Sequence, residues 1–354
     1  MARTLWIDDD GLPATWDQTL LPFERRVIVL ADETVCARAI ATMQVRGAPL
    51  IGAVGAWGLA LALRQRADDA ALDAALARLA ATRPTAVNLR WALERVRDAV
   101  LPLPPSARAV AARAEASRLC DEDVACNAAI GRHGATLLAP LARPGRPLQL
   151  LTHCNAGRLA TLDHGTALAP VYALHEAGVP LHVWVDETRP RNQGASLTAW
   201  ELGERGVPHT VIADNAGGQL MREGRVDAVI VGCDRVAMNG DVANKIGTYL
   251  KALAARDNGV PFIVACPVST LDPKAPDGAA IPIEARDPAE VAMIRGRAAD
   301  GRVLDLQLLP EGSPAFNPAF DVTPARLVDT LLTEHGPCAA QPEALARLIA
   351  RSRP

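Results

Sequence analysis

The first part of the chain, up to residue 141, carries apolar side chains at the three- and four-residue spacing of amphipathic helices. Between residues 32 and 44, for example, Val35, Ala39, Ile40 and Met43 share one face, and Asp32 precedes them as an N-cap candidate. Proline near the start of two later segments fits the first turn of a helix. We predict five helices here, at residues 32–44, 49–66, 68–81, 84–100 and 107–141, the last of them broken once.

The spacing of apolar residues changes after residue 147. Five short and strongly apolar runs, typical of buried strands, occur at residues 148–151, 181–185, 209–213, 228–231 and 262–265. Helical patterns separate them or lie close by, at residues 156–177, 195–203, 218–223 and 244–258. Such alternation predicts a parallel sheet with helices on both faces. The predicted fold class is therefore α/β, with a mostly helical N-terminal domain (residues 1–143) and a parallel-sheet C-terminal domain (residues 144–354), divided at the loop 143–147.

Composition excludes several classes of protein. The 354 residues are 49% apolar, which is enough for a large core, and 37 basic against 40 acidic residues leave a net charge of −3. That balance is unsuited to an electrostatic nucleic-acid binder. The uncharged run at residues 47–63 is shorter than the roughly 20 residues of a membrane span. Because it holds Gly47, Gly52, Gly55 and Gly58, we predict a buried helix packed closely through its glycines. We expect neither nucleic acid nor a membrane as a partner.

The seven cysteines are widely spaced and include no C-x-x-C pair. This pattern argues against a zinc knuckle or a disulfide framework and favours reduced thiols in a cytoplasmic protein. The N-terminus turns acidic at once and lacks the apolar core of a signal peptide. No dinucleotide or P-loop motif is present, and His153 and His164 lack partners at metal-ligand spacing. We therefore expect no cofactor and no metal.

Residues with chemical potential follow the predicted strands, at the edge where an open parallel sheet binds ligands. Cys154 stands between a strand and a predicted helix, whose N-terminus would lower the pKa of the thiol and favour thiolate chemistry. The alternative is a small buried side chain. Asp234 follows the most apolar strand, so desolvation would raise the pKa of its carboxyl and make it a proton donor. The alternatives are an N-cap and a salt bridge to Arg235.

Basic residues stand at the entrances of two predicted helices. Arg46, Gly47 and Ala48 lead into the helix at 49–66, where free backbone amides and a guanidinium would bind an anion. The alternative is a helix cap with a solvated arginine. Arg83 stands in the same way before Pro84. Alone it is more typical of an exposed side chain, but as a second basic helix entrance it gains weight.

Lysine is rare, since only Lys245, Lys251 and Lys274 occur among the 37 basic residues. Asn244 and Lys245 are predicted to start the helix at 244–258, where an amide and an ammonium would meet a ligand. The alternative is a cap plus a surface lysine. An ammonium is a compact point charge, so arginine would not replace Lys245 freely in a tight pocket. The sequence suggests no role for the other two lysines.

Taken together, four strings resemble the methylthioribose-1-phosphate isomerase family, within the superfamily of the initiation factor 2B alpha, beta and delta subunits. They are RGAPLIG at residues 46–52, LTHCNAG at 151–157, ETRP at 187–190 with Gln193, and DVANKIGTY at 241–249. The resemblance is colinear and runs from about residue 5 to residue 335. It implies a helical N-terminal domain, a Rossmann-like C-terminal domain, a homodimer and no cofactor.

The resemblance also implies an activity and a site. The family converts 5-methylthioribose 1-phosphate to 5-methylthioribulose 1-phosphate, an aldose–ketose isomerisation of a small phosphosugar in methionine salvage. Its catalytic cysteine falls on Cys154, and its catalytic aspartate, a proton donor, falls on Asp234. Its substrate contacts fall on Arg46, Gly47, Ala48, Arg83, Gln193, Asn244 and Lys245. Whether a proton or a hydride moves from C2 to C1 stays open.

Two other functions compete with this one. An isomerase of ribose 1,5-bisphosphate would share Cys154 and Asp234 but would need a second phosphate site. A set of apolar residues favours a methylthio group instead: Trp57, Val87, Leu89 and Trp91. A regulatory subunit of the exchange factor for eukaryotic translation initiation factor two would share the fold without the catalysis, which the retained pair argues against. The sequence departs from the family pattern at Cys233, at Arg158 and at residues 309–316.

Overall fold

Helices dominate the chain up to residue 138 in the structure, a computed structural model that describes residues 3–84 and 86–352. The helices of those residues are α1 (Glu33–Ala41), α2 (Ala48–Gln65), α3 (Asp69–Ala81), α4 (Val87–Val100), α5 (Pro105–Leu138), α6 (Leu168–Glu176), α7 (Ala199–Glu204), α8 (Ala216–Arg222), α9 (Thr248–Asp257), α10 (Ala289–Ala292) and α11 (Pro342–Ser352). Residues 1, 2, 85, 353 and 354, which the predicted helix at 84–100 and the predicted domain limits include, lie outside this description. The prediction of five helices in this part is confirmed.

Helix α2 is the centre of the helical region. Its 18 residues include 13 buried ones, and α1, α3, α4 and α5 all pack around it. Its glycines make the close approach possible, because a Cβ on Gly55 would lie 2.4 Å from Leu89 Cδ1 and one on Gly58 would lie 3.0 Å from Leu79 Cδ2. The prediction of a buried, glycine-packed helix is confirmed. Among the described residues, no helix combines the length and apolar character needed to cross a bilayer.

Helix α5 runs without a break over 34 residues, so the predicted interruption is wrong. The helix continues through Gly131 and Gly134, where the absence of a side chain allows close packing. A Cβ on Gly134 would lie 2.2 Å from Pro170 Cγ, in α6. The first half of α5 contributes Ala112 and Leu119 to the helical core. The second half contributes Ile130 and Leu138 to the core beneath the main sheet. One helix therefore belongs to both cores.

The strands form one large sheet and three small ones. They are β1 (Leu5–Ile7), β2 (Pro13–Trp16), β3 (Val27–Val29), β4 (Leu148–Thr152), β5 (Leu181–Asp186), β6 (His209–Ile212), β7 (Ala228–Val231), β8 (Arg235–Val236), β9 (Val242–Lys245), β10 (Phe262–Ala265), β11 (Met293–Arg297), β12 (Val303–Gln307), β13 (Phe320–Thr323), β14 (Thr330–Thr333) and β15 (Gly336–Cys338). The large sheet has the order β15-β14-β10-β7-β4-β5-β6. All its pairings are parallel except that of β14 with β15. The five predicted strands are confirmed as β4, β5, β6, β7 and β10.

The position of β4 decides where the site forms. It lies between β5 and β7 in the sheet, so the segments that follow these three strands emerge side by side at one edge. Cys154 follows β4 and Asp234 follows β7. Neighbouring parallel strands are about 5 Å apart. Two residues separated by 80 positions in the sequence are thereby brought to the same edge of the sheet.

Two predicted helices are wrong at the places that matter for the site. The helix predicted at 156–177 exists only as α6, and a loop with a short 3-10 turn at Arg158–Ala160 precedes it. The helix predicted at 244–258 begins as strand β9, which pairs with β8 and β13. Gly247 has a φ of +102°, outside the helical region, so α9 starts only after it. Asn244 and Lys245 therefore lie on a strand.

We predict that the same substitution has opposite effects at two helical glycines. Gly134→Ala should destabilise the fold by about 1–3 kcal/mol, because its Cβ has no space against the rigid ring of Pro170. Gly218→Ala, in α8, should be neutral or stabilise by up to about 1 kcal/mol, because its Cβ would lie 3.6 Å from Ala254 Cβ and alanine favours the helix. Urea unfolding of both variants measures this. Equal stabilities would contradict the packing of α5 on α6.

Candidate active site

All nine residues that the sequence suggests as site residues line one cavity at the carboxyl edge of the large sheet. The helical region contributes four of them, Arg46, Gly47, Ala48 and Arg83. The segments that follow β4, β5 and β7 contribute Cys154, Gln193 and Asp234, and strand β9 contributes Asn244 and Lys245. The cavity thus lies between the N-terminal end of α2 and the sheet edge. Both parts of the chain are needed to build it.

Cys154 lies in a tight turn directly after β4. Its φ is +65°, in the left-handed region. Its backbone N–H donates to Thr188 Oγ1 at 2.8 Å, and its carbonyl accepts from Thr198 Oγ1 at 2.7 Å. Burial raises the pKa of the thiol, and Lys245 and Arg46 oppose that shift. The expectation of a pKa lowered by a helix N-terminus is wrong, because α6 begins only at Leu168.

Asp234 behaves as expected from its position after the buried strand β7. Burial raises the pKa of its carboxyl, while Lys245, Arg46 and Arg83 act to lower it. The neighbouring Arg235 forms an ion pair with Asp272 at 3.2 Å. The raised pKa keeps the carboxyl protonated to a higher pH than that of a solvated aspartate. A protonated carboxyl in a cavity is a hydrogen donor that general acid catalysis requires.

The two buried cations of the cavity, Arg46 and Lys245, come from distant parts of the chain: Arg46 precedes α2 and Lys245 ends β9. Arg46 donates to the side-chain and backbone oxygens of Asn155, the residue after Cys154. Lys245 donates to the Ala319 carbonyl at 2.9 Å, and its Nζ lies 4.8 Å from the centre of the Phe320 ring. Burial lowers the pKa of both cations, and Cys154 and Asp234 act in the opposite direction. The surface position considered for Lys245 is wrong, since only 8% of the residue is exposed.

Arg83 and Gln193 have polar atoms that other described residues do not satisfy. The Arg83 guanidinium approaches Glu284 at 3.5 Å, but its Nε and Nη1 atoms are buried without a hydrogen-bond partner in the described part of the chain. The same holds for Gln193 Oε1. Buried donors and acceptors are normally satisfied. An anion with hydroxyl groups would satisfy both side chains.

The start of α2 forms the floor of the cavity. Gly47 is the N-cap, with a φ of +96°, and a Cβ there would lie 2.4 Å from the Ala160 carbonyl oxygen. Glycine is therefore required both by the backbone conformation and by space. Pro49 occupies the first turn as predicted. The amides at this end precede the first intrahelical donor, Ile51, which bonds to the Gly47 carbonyl at 3.0 Å.

A buried carboxylate that the sequence did not suggest supports the Cys154 loop. Glu201 is completely buried in α7 and accepts hydrogen bonds from the Asn155 side chain, the Arg158 backbone and the Tyr172 hydroxyl. Asn155 in turn binds Arg46. Local sequence gives no signal for Glu201, because its partners lie more than 25 positions away. Arg286 was also missed, and it lines the cavity while paired with Glu284 and Glu290.

The apolar part of the cavity differs from the expected one. Of the four residues suggested for a methylthio group, only Val87 lines the cavity, together with Met43, Ile51 and Phe320. Trp57 and Leu89 are buried in the helical core instead, and Trp91 lines a neighbouring cavity. Their positions on the far sides of α2 and α4 explain the error, because helical spacing alone does not say which face meets a ligand.

The two departures from the family pattern have different surroundings. Cys233 lines the cavity beside Asp234, and its thiol lies 3.7 Å from the Ala243 carbonyl. Arg158 is buried, with its guanidinium 5.4 Å from the centre of the Trp200 ring.

Three side chains, His153, Asp186 and Asp214, have ligand atoms within 4.8 Å of one another. Lys251 already supplies a positive charge there, 3.0 Å from Asp186.

Comparisons with known proteins agree with this arrangement. The model of the Initiation factor 2 subunit family matches residues 44–340. A methylthioribose-1-phosphate isomerase from Acidiphilium cryptum is 59% identical, over 98% of this chain and 95% of the relative. The crystal structure of 5-methylthioribose 1-phosphate isomerase from Pyrococcus horikoshii OT3 superposes with a TM-score of 0.86 at 39% identity, covering 99% of this chain and 97% of the other.

A second solved structure carries a different name. The crystal structure of the translation initiation factor eIF-2B, subunit delta, from A. fulgidus superposes with a TM-score of 0.80 at 39% identity, covering 98% of this chain and 100% of the other. The names therefore differ among the structures, while the curated relatives at 54–61% identity are isomerases over nearly the whole chain. The chain belongs to the Initiation factor 2 subunit family and, within it, to the methylthioribose-1-phosphate isomerases.

Proposed function

We propose that this chain converts 5-methylthioribose 1-phosphate to 5-methylthioribulose 1-phosphate, with Cys154 and Asp234 as the catalytic pair. The observation that carries the proposal is that a thiol and a carboxyl share one cavity with two buried cations, Lys245 and Arg46. The names of the relatives support the same substrate. The reaction belongs to methionine salvage.

Asp234 supplies the acid for opening the sugar ring. The phosphate blocks the anomeric hydroxyl, so the ring cannot open through a free hydroxyl as in ordinary aldoses. Burial raises the pKa of Asp234, and its protonated carboxyl donates to the ring oxygen as the bond from that oxygen to C1 breaks. A positioned acid of this kind contributes about 10²–10⁴-fold to a rate.

Cys154 acts at the step in which hydrogen moves from C2 to C1. In a proton route, its thiolate removes the C2 proton from the ring-opened oxocarbenium ion and leaves an enol of the phosphosugar. The thiol then returns that proton to C1 while the C2 hydroxyl gives its proton to the Asp234 carboxylate, which forms the ketone and restores both groups. Lys245 and Arg46 stabilise the thiolate electrostatically. In a hydride route, the C2 hydrogen passes with its electron pair directly to C1, the C2 hydroxyl gives its proton to the Asp234 carboxylate, and Cys154 stabilises the polar transition state. Both routes require Asp234 as the acid, and both place the thiol beside C2.

The remaining predicted residues bind the substrate. Arg46, Arg83 and Lys245 supply positive charge for the phosphate, and the amides at Gly47 and Ala48 lie at the start of α2, where an anion is favoured. Gln193 and Asn244 supply amides for the sugar hydroxyls. The apolar wall at Met43, Ile51, Val87 and Phe320 suits a methylthio group better than a second phosphate. This wall favours methylthioribose 1-phosphate over ribose 1,5-bisphosphate.

A regulatory function without catalysis is less well supported, although one similar structure is a subunit of an initiation factor. A regulatory subunit has no chemical use for a thiol and an acid of raised pKa in one cavity. We further propose a two-domain organisation with its boundary at residues 143–147. The six parallel strands of the large sheet lie in the order β6-β5-β4-β7-β10-β14. Counted along the chain from β4, this is the order 3-2-1-4-5-6, which supports a Rossmann-like C-terminal domain. A homodimer in the cytoplasm remains part of the proposal.

The central test is a turnover assay with both phosphosugars. We expect 5-methylthioribose 1-phosphate to be isomerised much faster than ribose 1,5-bisphosphate, and Cys154→Ser and Asp234→Asn each to lose about 10²-fold or more in kcat while folding normally. Cys338→Ser and Asp257→Asn are matched controls, because neither residue lines the cavity. Wild-type turnover in either cavity variant would remove that residue from the catalytic pair.

The pH dependence follows from the raised pKa of Asp234. As the acid, the carboxyl must be protonated, so kcat/KM should fall as the pH rises through its pKa. Arg83 lowers that pKa, and Arg83→Ala should therefore move the alkaline limb of the profile to higher pH. A profile whose alkaline limb stays in place in this variant would separate Asp234 from the titration.

Arg83→Ala should also weaken substrate binding more than it slows chemistry. Loss of a charged hydrogen bond to phosphate costs about 1.5–3 kcal/mol, which corresponds to a rise in KM of about 10- to 150-fold. Arg90→Ala, at an exposed position on α4, is the control and should leave KM unchanged. The two variants are compared by steady-state kinetics. An unchanged KM in Arg83→Ala would argue against a phosphate contact.

A further inference from the structure

A buried charged cluster lies behind the Cys154 loop and has no part in the chemistry described so far. Asp186, at the end of β5, is completely buried, and 4% of Lys251 and 1% of His153 are exposed. Asp186 Oδ2 lies 2.9 Å from His153 Nδ1 and 3.0 Å from Lys251 Nζ. Lys251 also donates to the Asp214 carbonyl. Lys251, one of the two lysines without a sequence-based role, is therefore the counter-ion of a buried carboxylate.

The hydrogen bonds of His153 fix its orientation at both nitrogens. Nε2 lies 2.8 Å from the Ile246 carbonyl oxygen, which can only accept, so Nε2 carries a hydrogen. Nδ1 faces the carboxylate that also binds Lys251. The ring is therefore held between Asp186 and the backbone that follows Lys245. It has no rotational freedom without losing one of these bonds.

The cluster joins the segments that carry the catalytic thiol and the buried ammonium. His153 directly precedes Cys154, and Ile246 directly follows Lys245. Asp186 is also linked to Thr188, whose hydroxyl donates to the Asp186 carbonyl at 3.0 Å and accepts from the Cys154 N–H. Two independent paths thus run from Asp186 to the Cys154 turn.

Burial of such a cluster costs free energy, and this cost points to a role for the cluster. The desolvation of a buried ion pair amounts to several kcal/mol per ion, and well-packed apolar side chains of similar size are often as stable. Other charges face the cluster, since the Asp214 carboxylate accepts from the backbone of Thr188 and Arg189. The Asp321 carboxylate accepts from the backbone of Gly247. These two outer carboxylates are thus held by backbone amides, whereas the Asp186 carboxylate binds the side chains of His153 and Lys251.

We propose that Lys251, Asp186 and His153 are positioning residues that hold the Cys154 thiol at a fixed place beside the Lys245 ammonium. The inference deepens the proposed function and rests on it for its effect on turnover. Its effect on the thiol is independent of any substrate. A displacement of about 1 Å in a catalytic group can cost about 10²-fold in rate, so the cluster matters for kcat although His153 is the one member of the three that lines the cavity.

The test compares Lys251→Met with Lys274→Met, a lysine exposed in a loop. Alkylation of Cys154 by iodoacetamide is followed across pH by mass spectrometry of its peptide, because the thiolate is the nucleophile. Lys251→Met should move the midpoint of the profile upward by about one pH unit, since Lys245 no longer stabilises the thiolate as well. It should also lower kcat about 10- to 100-fold with a smaller change in KM. Lys274→Met should change neither.

Two variants of His153 keep the proposal testable if Lys251→Met does not fold. Asparagine resembles the Nδ1 side of histidine and glutamine resembles the Nε2 side, so His153→Gln keeps a donor for Ile246 and His153→Asn does not. We expect His153→Asn to shift the alkylation profile more than His153→Gln does. A folded Lys251→Met, or a folded pair of His153 variants, with wild-type profiles would overturn the proposal. A shifted profile in a protein that does not isomerise the phosphosugar would instead reject the proposed function alone.

Discussion

The structure depends on one strained turn, the left-handed residue Cys154 at the end of the central strand β4. A left-handed conformation costs a residue with a side chain roughly 1–2 kcal/mol. Hydrogen bonds from Thr198 and to Thr188 hold both sides of the turn, and each is worth about 1 kcal/mol. The flanking residues His153 and Asn155 bind two buried carboxylates, Asp186 and Glu201. Each residue of the turn, from His153 to Asn155, is thus hydrogen-bonded, and these bonds offset the cost of the left-handed conformation.

Burial of two acids and two bases in one cavity makes the cavity electrostatically balanced. Burial shifts the pKa of the acids Cys154 and Asp234 upward and the pKa of the bases Arg46 and Lys245 downward. Each group is opposed by its partners of the other kind. An anion that enters this space meets two cations, Arg46 and Lys245, whose acidic neighbours Cys154 and Asp234 are weak acids because burial raises their pKa. The desolvation of these cations is completed when the protein folds, so that cost does not recur when an anion binds.

Local patterns predicted the central helices and the core strands, because these depend on apolar spacing, and the rule for open parallel sheets placed Cys154 and Asp234 at one edge. The full set of nine cavity residues came from the family resemblance. Local patterns failed where the structure depends on distant pairing. β9 is a strand because it pairs with β13, whose residues lie about 80 positions later, and a window around Lys245 contains no trace of that partner. The thiol of Cys154 was expected to be acidified because the window contained a helix pattern. The left-handed turn at Cys154 and the contacts of Glu201 depend on residues distant in the sequence, so no local window predicts them.

Helix α5 has a consequence for how the molecule comes apart. With 34 residues it is about 50 Å long, and it supplies side chains to both the helical core and the core under the sheet. Neither core is complete without it, so neither can melt and leave the other with its apolar surface covered. The two halves of the cavity are thereby joined in one cooperative unit of unfolding. Although the sequence suggests a division at the Pro- and Gly-containing loop 143–147, helix α5 couples the unfolding of the two cores.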